Sequence, residues 1–199
     1  MATPAYRRLT NDARREELLH RGEELFALYG YDELSMARFA REAGISKALL
    51  YHYFPSKRAL FEAVLTQAAD QLRSVTEPDA SLSPVEQLAA SLDAFLVWIE
   101  DHADAYLKLM ASLQVPEVRE LIDDVREQTA QRILGGIVEG EPAPKVRAAV
   151  RAWLWFMDGV CLDWVTERDM TREEVQGLLL GSLAGSLVAA GAPLPGVGG

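Results

Sequence analysis

Residues 44–60, GISKALLYHYFPSKRAL, decide how the sequence is interpreted. This stretch places two tyrosines, a histidine and three basic residues among short apolar runs. Ser46 and Ser56 each precede a helical pattern, and a serine at an N-cap accepts a backbone N–H that the first turn leaves free. The stretch therefore predicts a short helix from Lys47, followed after Pro55 by a longer helix from Lys57.

Two further helices are predicted upstream. Ser35 is placed to cap the segment MARFAREA, which ends at Gly44. Before it, apolar residues recur at helical spacing and Gly30 follows as a C-terminal stop; these residues are Leu18, Leu19, Leu25, Phe26 and Tyr29. Short helices joined by a glycine-containing turn are typical of a helix-turn-helix.

The rest of the chain has the same helical character. Helices are predicted from Ser83-Pro84, from Pro116, over about 144–166, and from Thr171, which has Glu174 in capping-box spacing. The sequence TEPDASLSP at 76–84 is typical of a boundary, and the terminal APLPGVGG of disorder. We therefore predict an all-α protein with three segments, a helix-turn-helix domain at 1–56, a connecting helix at 57–77 and a second helical domain at 78–199.

Charge is distributed unevenly along the 199 residues. The formal net charge is −10, yet residues 1–60 carry ten Lys/Arg against eight Asp/Glu, and residues 61–199 carry ten against twenty-two. This asymmetry indicates an N-terminal part that can face an anion and a body that repels one. The one cysteine, Cys161, cannot form an internal disulfide, and no signal peptide is evident, so a cytoplasmic protein is expected.

The short helix from Lys47 has two chemically different sides. On an ideal helix Leu50 and Phe54 share one face and would pack inward. Small, apolar and cationic groups on the other sides suit contact with base edges and phosphates in a major groove; they belong to Lys47, Ala48, Leu49, Tyr51, His52 and Tyr53. Lys57 lies in the first turn of the next helix, where free N–H groups favour a phosphate. A surface helix with scattered aromatic residues remains an alternative on this pattern alone.

Residues 30–65, GYDELSMARFAREAGISKALLYHYFPSKRALFEAVL, resemble the DNA-binding domain of the tetracycline-repressor (TetR) family of bacterial transcription regulators. The points of resemblance, in fixed register, are Gly30, Tyr31, Ser35, Ala40, Ala43, Gly44, Ser46, Lys47, Leu50, Tyr51, Tyr53, Phe54, Lys57 and Leu60. The remainder of the chain is similar to the family only in its length and helical pattern.

This resemblance implies a homodimeric repressor that binds double-stranded DNA and is released by a small-molecule effector. Two recognition helices, each about 47–53, would enter successive major grooves of a near-palindromic operator. Phosphate contacts are implied for Ser35, Tyr51, Tyr53 and Lys57, and base contacts for Lys47, Ala48 and Leu49; Ser46 and His52 complete the predicted DNA-facing set. Leu49 departs from the Thr or Asn common in the family. Leucine cannot hydrogen-bond a base, so contact with a thymine methyl is the expected alternative. Arg7 and Arg8 are either a minor-groove arm or a solvated basic tail.

The last two predicted helices carry the features of a subunit interface. Residues 145–166 are apolar almost all round except for a stripe of Arg147, Arg151 and Asp158, and a partner subunit would bury the remainder. The following helix has small residues that would let helices approach closely; with Trp155 they form the predicted dimer interface of Gly177, Gly181, Ala184 and Gly185. The resemblance implies a four-helix bundle across the dimer, and a glycine-weakened core helix is the alternative.

An apolar pocket is predicted between the linker and the dimer helices. Its candidate lining residues are mostly aromatic or sulfur-containing: Phe95, Trp98, Tyr106, Met110, Trp153, Phe156, Met157, Val160 and Asp163. Such a stripe is equally typical of plain core. Asp163 projects opposite the polar stripe, so it either meets a ligand group or a residue across the dimer, or is exposed near the helix end.

Other classes of function have weaker support. Residues 175–191 lack charge but hold four glycines and stand at the short limit for a membrane span, so no membrane association is predicted. Glu17 and His20 lack the further ligands of a bundle metal site, and no phosphate loop or zinc spacing occurs. We therefore predict no enzyme, metal or cofactor. A ligand-binding protein or membrane-associated adaptor without DNA binding is the alternative, and the Lys47, Tyr51, Tyr53 and Lys57 set counts against it.

Overall fold

The computed structural model describes residues 10–77, 79–138 and 140–192, and the described part of the chain is all-α. Arg7, Arg8 and most of the terminal APLPGVGG lie outside these ranges. The helices are α1 (Asn11–Glu33), α2 (Met36–Glu42), α3 (Lys47–Tyr53), α4 (Lys57–Val75), α5 (Pro84–Asp101), α6 (Ala103–Ala111), α7 (Pro116–Ile137), α8 (Pro144–Glu167) and α9 (Arg172–Ala189), with a 3-10 turn at Ser112–Gln114.

The predicted helix starts are confirmed by their caps. The hydroxyls of Ser35, Ser46 and Ser56 accept the backbone N–H groups of Arg38, Leu49 and Ala59 at 3.0–3.2 Å. Complete capping boxes open α5 and α9, formed by Ser83 with Glu86 and by Thr171 with Glu174. Each cap satisfies a donor that the first turn leaves unpaired.

The end of α1 differs from the sequence prediction. Gly30 has φ +70°, which is the left-handed region that favours glycine, but helical residues resume after this kink and continue to Glu33. The glycine thus redirects the chain instead of ending the helix. Its immediate consequence is the placement of Tyr31, which is buried between α1 and α4 against Phe26 and Phe61 with T-shaped contact to the latter.

A first hydrophobic cluster, the N-terminal core, contains buried residues from α1, α2, α3 and α4. Leu18, Phe39, Leu50 and Leu60 are each at most 2% exposed within it. The cluster also contains residues from far along the chain, namely Val118 and Ile122 of α7. The helix-turn-helix is consequently packed against the second half of the protein.

A second cluster, the body core, is built from α5, α6, α7, α8 and α9. Its indole groups are hydrogen-bonded within the chain. The indole Nε1 of Trp153 donates to the Leu179 carbonyl at 2.9 Å and to Ser182 Oγ at 3.1 Å, which fixes α8 against α9. Trp164 donates in the same way to the Met170 carbonyl before α9 begins.

Of the helices in the described ranges, none is long and apolar enough to cross a membrane.

Candidate nucleic-acid interface

The short helix α3 presents the predicted DNA-facing residues on its open sides. Leu50 and Phe54 are buried at 0% and 2% exposure and hold α3 on the N-terminal core. The outward positions are exposed or half-buried: Ser46, Lys47, Ala48, Tyr51 and His52 are exposed, and Leu49 and Tyr53 are half-buried. The sequence-based division of the helix into an inner and an outer side is confirmed.

Three hydroxyl groups of the predicted set have structural partners in the chain. Ser35 and Ser46 cap α2 and α3, so their side chains lie at two helix N-termini where a phosphate is favoured. Tyr53 Oη lies 3.4 Å from Asn11 Oδ1, linking the end of α3 to the start of α1. On the neighbouring α2, the Arg38 guanidinium covers the ring of Tyr29 at 3.6 Å.

Lys57 is held more closely than the sequence indicates. Its Nζ donates to the carbonyl oxygen of Tyr31 at 2.9 Å and lies 4.2 Å from the centre of the Tyr31 ring. The next residue, Arg58, pairs with Glu120 of α7 at 2.9 Å. The first turn of α4 therefore has both of its cations anchored, one within the N-terminal core and one on α7.

The residues of the predicted dimer interface are exposed on α8 and α9. Trp155 is 56% exposed, and Gly177, Gly181, Ala184 and Gly185 are exposed as well. A Cβ added to any of the three glycines would meet nothing within 4 Å. They therefore are not core glycines of a single chain. Further exposed apolar side chains on these two helices are Leu162, Leu178 and Val188.

The predicted pocket residues are only partly brought together. Tyr106 and Trp153 belong to the body core, and Phe95, Trp98, Met110, Met157 and Val160 pack on it half-buried. Phe156 and Asp163 instead lie exposed on α8, so the expectation that they line an interior pocket with the others is not met within one chain. Trp153 lies on the side of α8 that packs against α9, where its indole donates a hydrogen bond to the Leu179 carbonyl. Phe156 lies on a solvent-exposed side of α8.

Depressions on the surface occur elsewhere. One of about 410 Å³ lies between α1 and α6 and is lined by Glu24, Ala27, Leu28, Asp104, Leu107 and Lys108. A smaller one of about 190 Å³ lies between α1 and the turn after α2. Neither contains a predicted pocket residue.

A largely buried carboxylate of the body is that of Asp158, which the sequence pattern places on the exposed polar stripe. Its Oδ2 accepts from Arg126 of α7 at 2.7 and 2.8 Å, and Tyr106 of α6 donates to Asp158 with its hydroxyl. Arg126 also pairs with Asp123 and covers the Trp155 ring at 3.9 Å. Three helices therefore meet at one polar cluster, which we call the Asp158 cluster (Tyr106, Arg126 and Asp158).

Burial controls the protonation of this cluster. It raises the pKa of Asp158 above its ordinary value, although the Arg126 guanidinium acts in the opposite direction. Burial, reinforced by the Asp158 charge, also raises the pKa of Tyr106, and it raises the pKa of Cys161 to about 12. Burial therefore favours the neutral forms of the tyrosine and the cysteine.

The described part of the chain holds no group of three or more His, Cys, Asp or Glu side chains that could bind a metal ion. His20, considered with Glu17 from the sequence, instead lies 3.5 Å from Glu23 and 3.7 Å from Glu24 on the exposed side of α1.

Comparison with known proteins agrees with this geometry. Residues 18–64 match the family described as "Bacterial regulatory proteins, tetR family", and residues 84–185 match "Tetracyclin repressor-like, C-terminal domain". The transcriptional regulator UidR of Escherichia coli K12 is 26% identical over 186 residues, covering 88% of this chain and 93% of UidR. The activator FasR of Mycolicibacterium smegmatis is 34% identical over 112 residues, 55% of this chain and 51% of FasR.

Among solved structures, a tetR-family transcriptional regulator from Streptomyces coelicolor superposes with a TM-score of 0.78 at 27% identity, over 92% of this chain and 83% of that one. The family match in the second half covers more than half of the chain, and the match in the first half includes α3 with its exposed polar side. The chain belongs to the TetR family of DNA-binding transcriptional regulators and is not an enzyme.

Proposed function

We propose that this protein represses transcription as a homodimer that binds a near-palindromic operator and is released by a small apolar effector. The observation that carries the proposal is the exposed side of α3, where Lys47, Ala48 and Tyr51 project from a helix that Leu50 and Phe54 fix on the N-terminal core. A short helix anchored along one side and polar on the other suits insertion into a major groove.

The dimer part of the proposal is supported by the exposed residues of α8 and α9. Trp155, Leu178 and Val188 are 56%, 45% and 58% exposed, and the exposed glycines of α9 have no side chain to keep a second helix away. Exposed apolar side chains and exposed small residues on a pair of helices are typical of a subunit interface. A two-fold axis through it would set two α3 helices at equal distances from the axis.

The effector part is supported by the half-buried aromatic and methionine side chains on the body core. Trp98, Met110, Met157 and Val160 belong to α5, α6 and α8 and pack half-buried on the body core. Methionine side chains repack easily around a guest molecule. An effector would have to open this region, since the same side chains are packed on the core. It lowers operator affinity only if it binds the DNA-free arrangement more tightly than the DNA-bound one.

A selection from randomised duplex DNA tests DNA recognition. We expect the purified protein to enrich a two-fold symmetric sequence. Leu49→Ala should change the preferred bases, whereas Lys57→Ala should weaken binding to every sequence and reduce the salt slope by about 0.9 for each phosphate that the protein no longer neutralises. Lys145→Ala, an exposed lysine at the start of α8, is the charge-matched control. Enrichment of no sequence would contradict the proposal.

Release by an effector is tested on the enriched operator. Candidate metabolites that raise the midpoint of thermal unfolding are expected to weaken operator binding by roughly 5–150-fold. A reporter gene downstream of the operator should be more active in the absence of the protein. Lower reporter activity in its absence would instead identify an activator.

A further inference from the structure

The backbone of Tyr31 has hydrogen bonds both to the DNA-facing end of the molecule and to the body. Its carbonyl oxygen accepts the ammonium of Lys57 at 2.9 Å, and its N–H donates to Ser112 Oγ at 3.4 Å. Ser112 follows directly on α6, and its hydroxyl donates in turn to the Lys108 carbonyl at 2.8 Å. The two peptide groups that flank the Tyr31 Cα are thus each held, one by a cation at the start of α4 and the other by the hydroxyl of the residue after α6.

The surroundings leave the Tyr31 backbone little freedom. Gly30 has φ +70°, and a Cβ placed on it would be in ordinary van der Waals contact with Ser112 Oγ, at 3.6 Å. Tyr31 is 7% exposed and Ser112 is 8% exposed. The Tyr31 ring packs against Phe26 and Phe61, and the Lys57 ammonium lies 4.2 Å from the ring centre.

We propose that Ser112 and Tyr31 are positioning residues for DNA binding, which act by holding the Lys57 ammonium ready for a phosphate. The inference rests on the proposed function, because it takes Lys57 as a phosphate contact. An ammonium carries three donors. One donor is used by the Tyr31 carbonyl and the ring takes up one side of the charge, which leaves donors of the ammonium for a phosphate.

Holding the lysine has an energetic consequence for binding. A free lysine side chain loses conformational entropy when it is fixed on a phosphate, whereas one already fixed loses less. If the hydrogen bond between the Tyr31 N–H and Ser112 Oγ were broken, the lysine side chain would be less fixed before binding and would lose more entropy on the phosphate. The hydroxyl belongs to the end of α6, and α6 also places Tyr106 in the Asp158 cluster. A movement of α6 in the body would therefore change how Lys57 is held for a phosphate contact, without any movement of α3.

A double-mutant cycle on operator affinity tests the proposal. Ser112→Ala should weaken operator binding by roughly 2–10-fold, the effect of one hydrogen bond, and should do so only while Lys57 is present. In the Lys57→Ala background the same change should have no effect. Thr129→Ala is the matched control, because the Thr129 hydroxyl also donates to the carbonyl four residues earlier but lies on α7 away from the Tyr31 peptide. It should leave affinity unchanged in both backgrounds.

The outcomes separate the two proposals. If Lys57→Ala leaves affinity and salt slope unchanged, the phosphate contact and the positioning role both fail. If Lys57→Ala weakens binding but Ser112→Ala has the same effect in both backgrounds, only the positioning role is overturned. Hydrogen exchange of the Tyr31 amide should become faster in Ser112→Ala, and thermal unfolding reports whether the variant is folded. If Ser112→Ala does not fold, Ser112→Cys replaces it in the double-mutant cycle. The cysteine has a side chain of similar size, and its sulfur is a weaker hydrogen-bond acceptor than the serine oxygen.

Discussion

Gly22 lies where α1 crosses α4, and its missing side chain determines how closely the two helices approach. A Cβ added there would come within 2.5 Å of Val64 Cγ2, and Val64 is itself 4% exposed. Gly22→Ala should therefore lower the free energy of unfolding by about 1–3 kcal/mol through overpacking, despite the better helix propensity of alanine. Gly135→Ala, where an added Cβ meets nothing within 4 Å, should be neutral or stabilising by up to about 1 kcal/mol. The midpoints of denaturant unfolding measure the stability of both variants. A Gly22→Ala variant more stable than the wild type would contradict a close approach of α1 to α4 at this position.

Asp158 should give the stability of the protein a measurable pH dependence. Burial raises its pKa in the folded protein, so the folded state holds the proton more tightly than the unfolded chain does. The resulting stabilisation is complete below the ordinary carboxyl pKa of about 3.9 and is lost as the pH rises through the raised value. The unfolding free energy of the wild type minus that of Asp158→Asn should therefore decrease from about pH 4 towards neutrality.

Chemical denaturation at a series of pH values measures this difference, and each unit of pKa shift corresponds to about 1.4 kcal/mol. The same subtraction with Asp163→Asn, at an exposed position on α8, is the control for loss of a carboxylate. A difference that increases with pH would mean that the Arg126 ion pair outweighs burial and lowers the pKa of Asp158.

At the scale of elements, α9 should be sensitive to a bulky side chain only when a second subunit is present. Gly181 is exposed and an added Cβ meets nothing within its own chain, so Gly181→Leu should leave the fold of one subunit intact. If α8 and α9 pack against their copies, the leucine should force the helices apart and yield monomer or aggregate in sedimentation. Gly136→Leu, at an equally open position on α7, is the control. A Gly181→Leu dimer of unchanged affinity would place the interface elsewhere.

Features of the fold that depend on residues close together in the sequence could be predicted from the sequence. Serine or threonine caps mark where α2, α3, α4, α5 and α9 begin, and the alternation of buried and exposed positions on α3 follows from helical spacing. The Asp158 cluster was not predictable, because its partners come from three helices and the projection of α8 alone places Asp158 beside Arg151. The position of Lys57 in the sequence predicts a phosphate contact, whereas its hydrogen bond to the Tyr31 carbonyl depends on the kink at Gly30.

At the scale of the whole molecule, a rigid dimer should require a fixed distance between its half-sites. Two α3 helices in successive major grooves stand about 34–36 Å apart, or one turn of DNA. Inserting about five base pairs, half a turn, at the centre of the selected operator moves the second half-site to the opposite face of the duplex. Affinity should then fall to that of a single half-site. Replacing the central base pairs without changing the length is the control, and unchanged binding after the insertion would indicate independently mobile DNA-binding domains.

Val118 and Ile122 have a consequence for how such proteins recombine. They belong to α7, yet they are buried at 0% and 7% exposure in the N-terminal core. A crossover between two related genes in the segment after α4 would replace the DNA-binding half of the protein. Residues 118 and 122 would still come from the original gene. Each buried aliphatic residue of this kind contributes about 1.5–3 kcal/mol, so a chimera with mismatched residues at 118 and 122 would lose much of the stability of a small domain. Operator preference and the start of α7 are therefore expected to be inherited together.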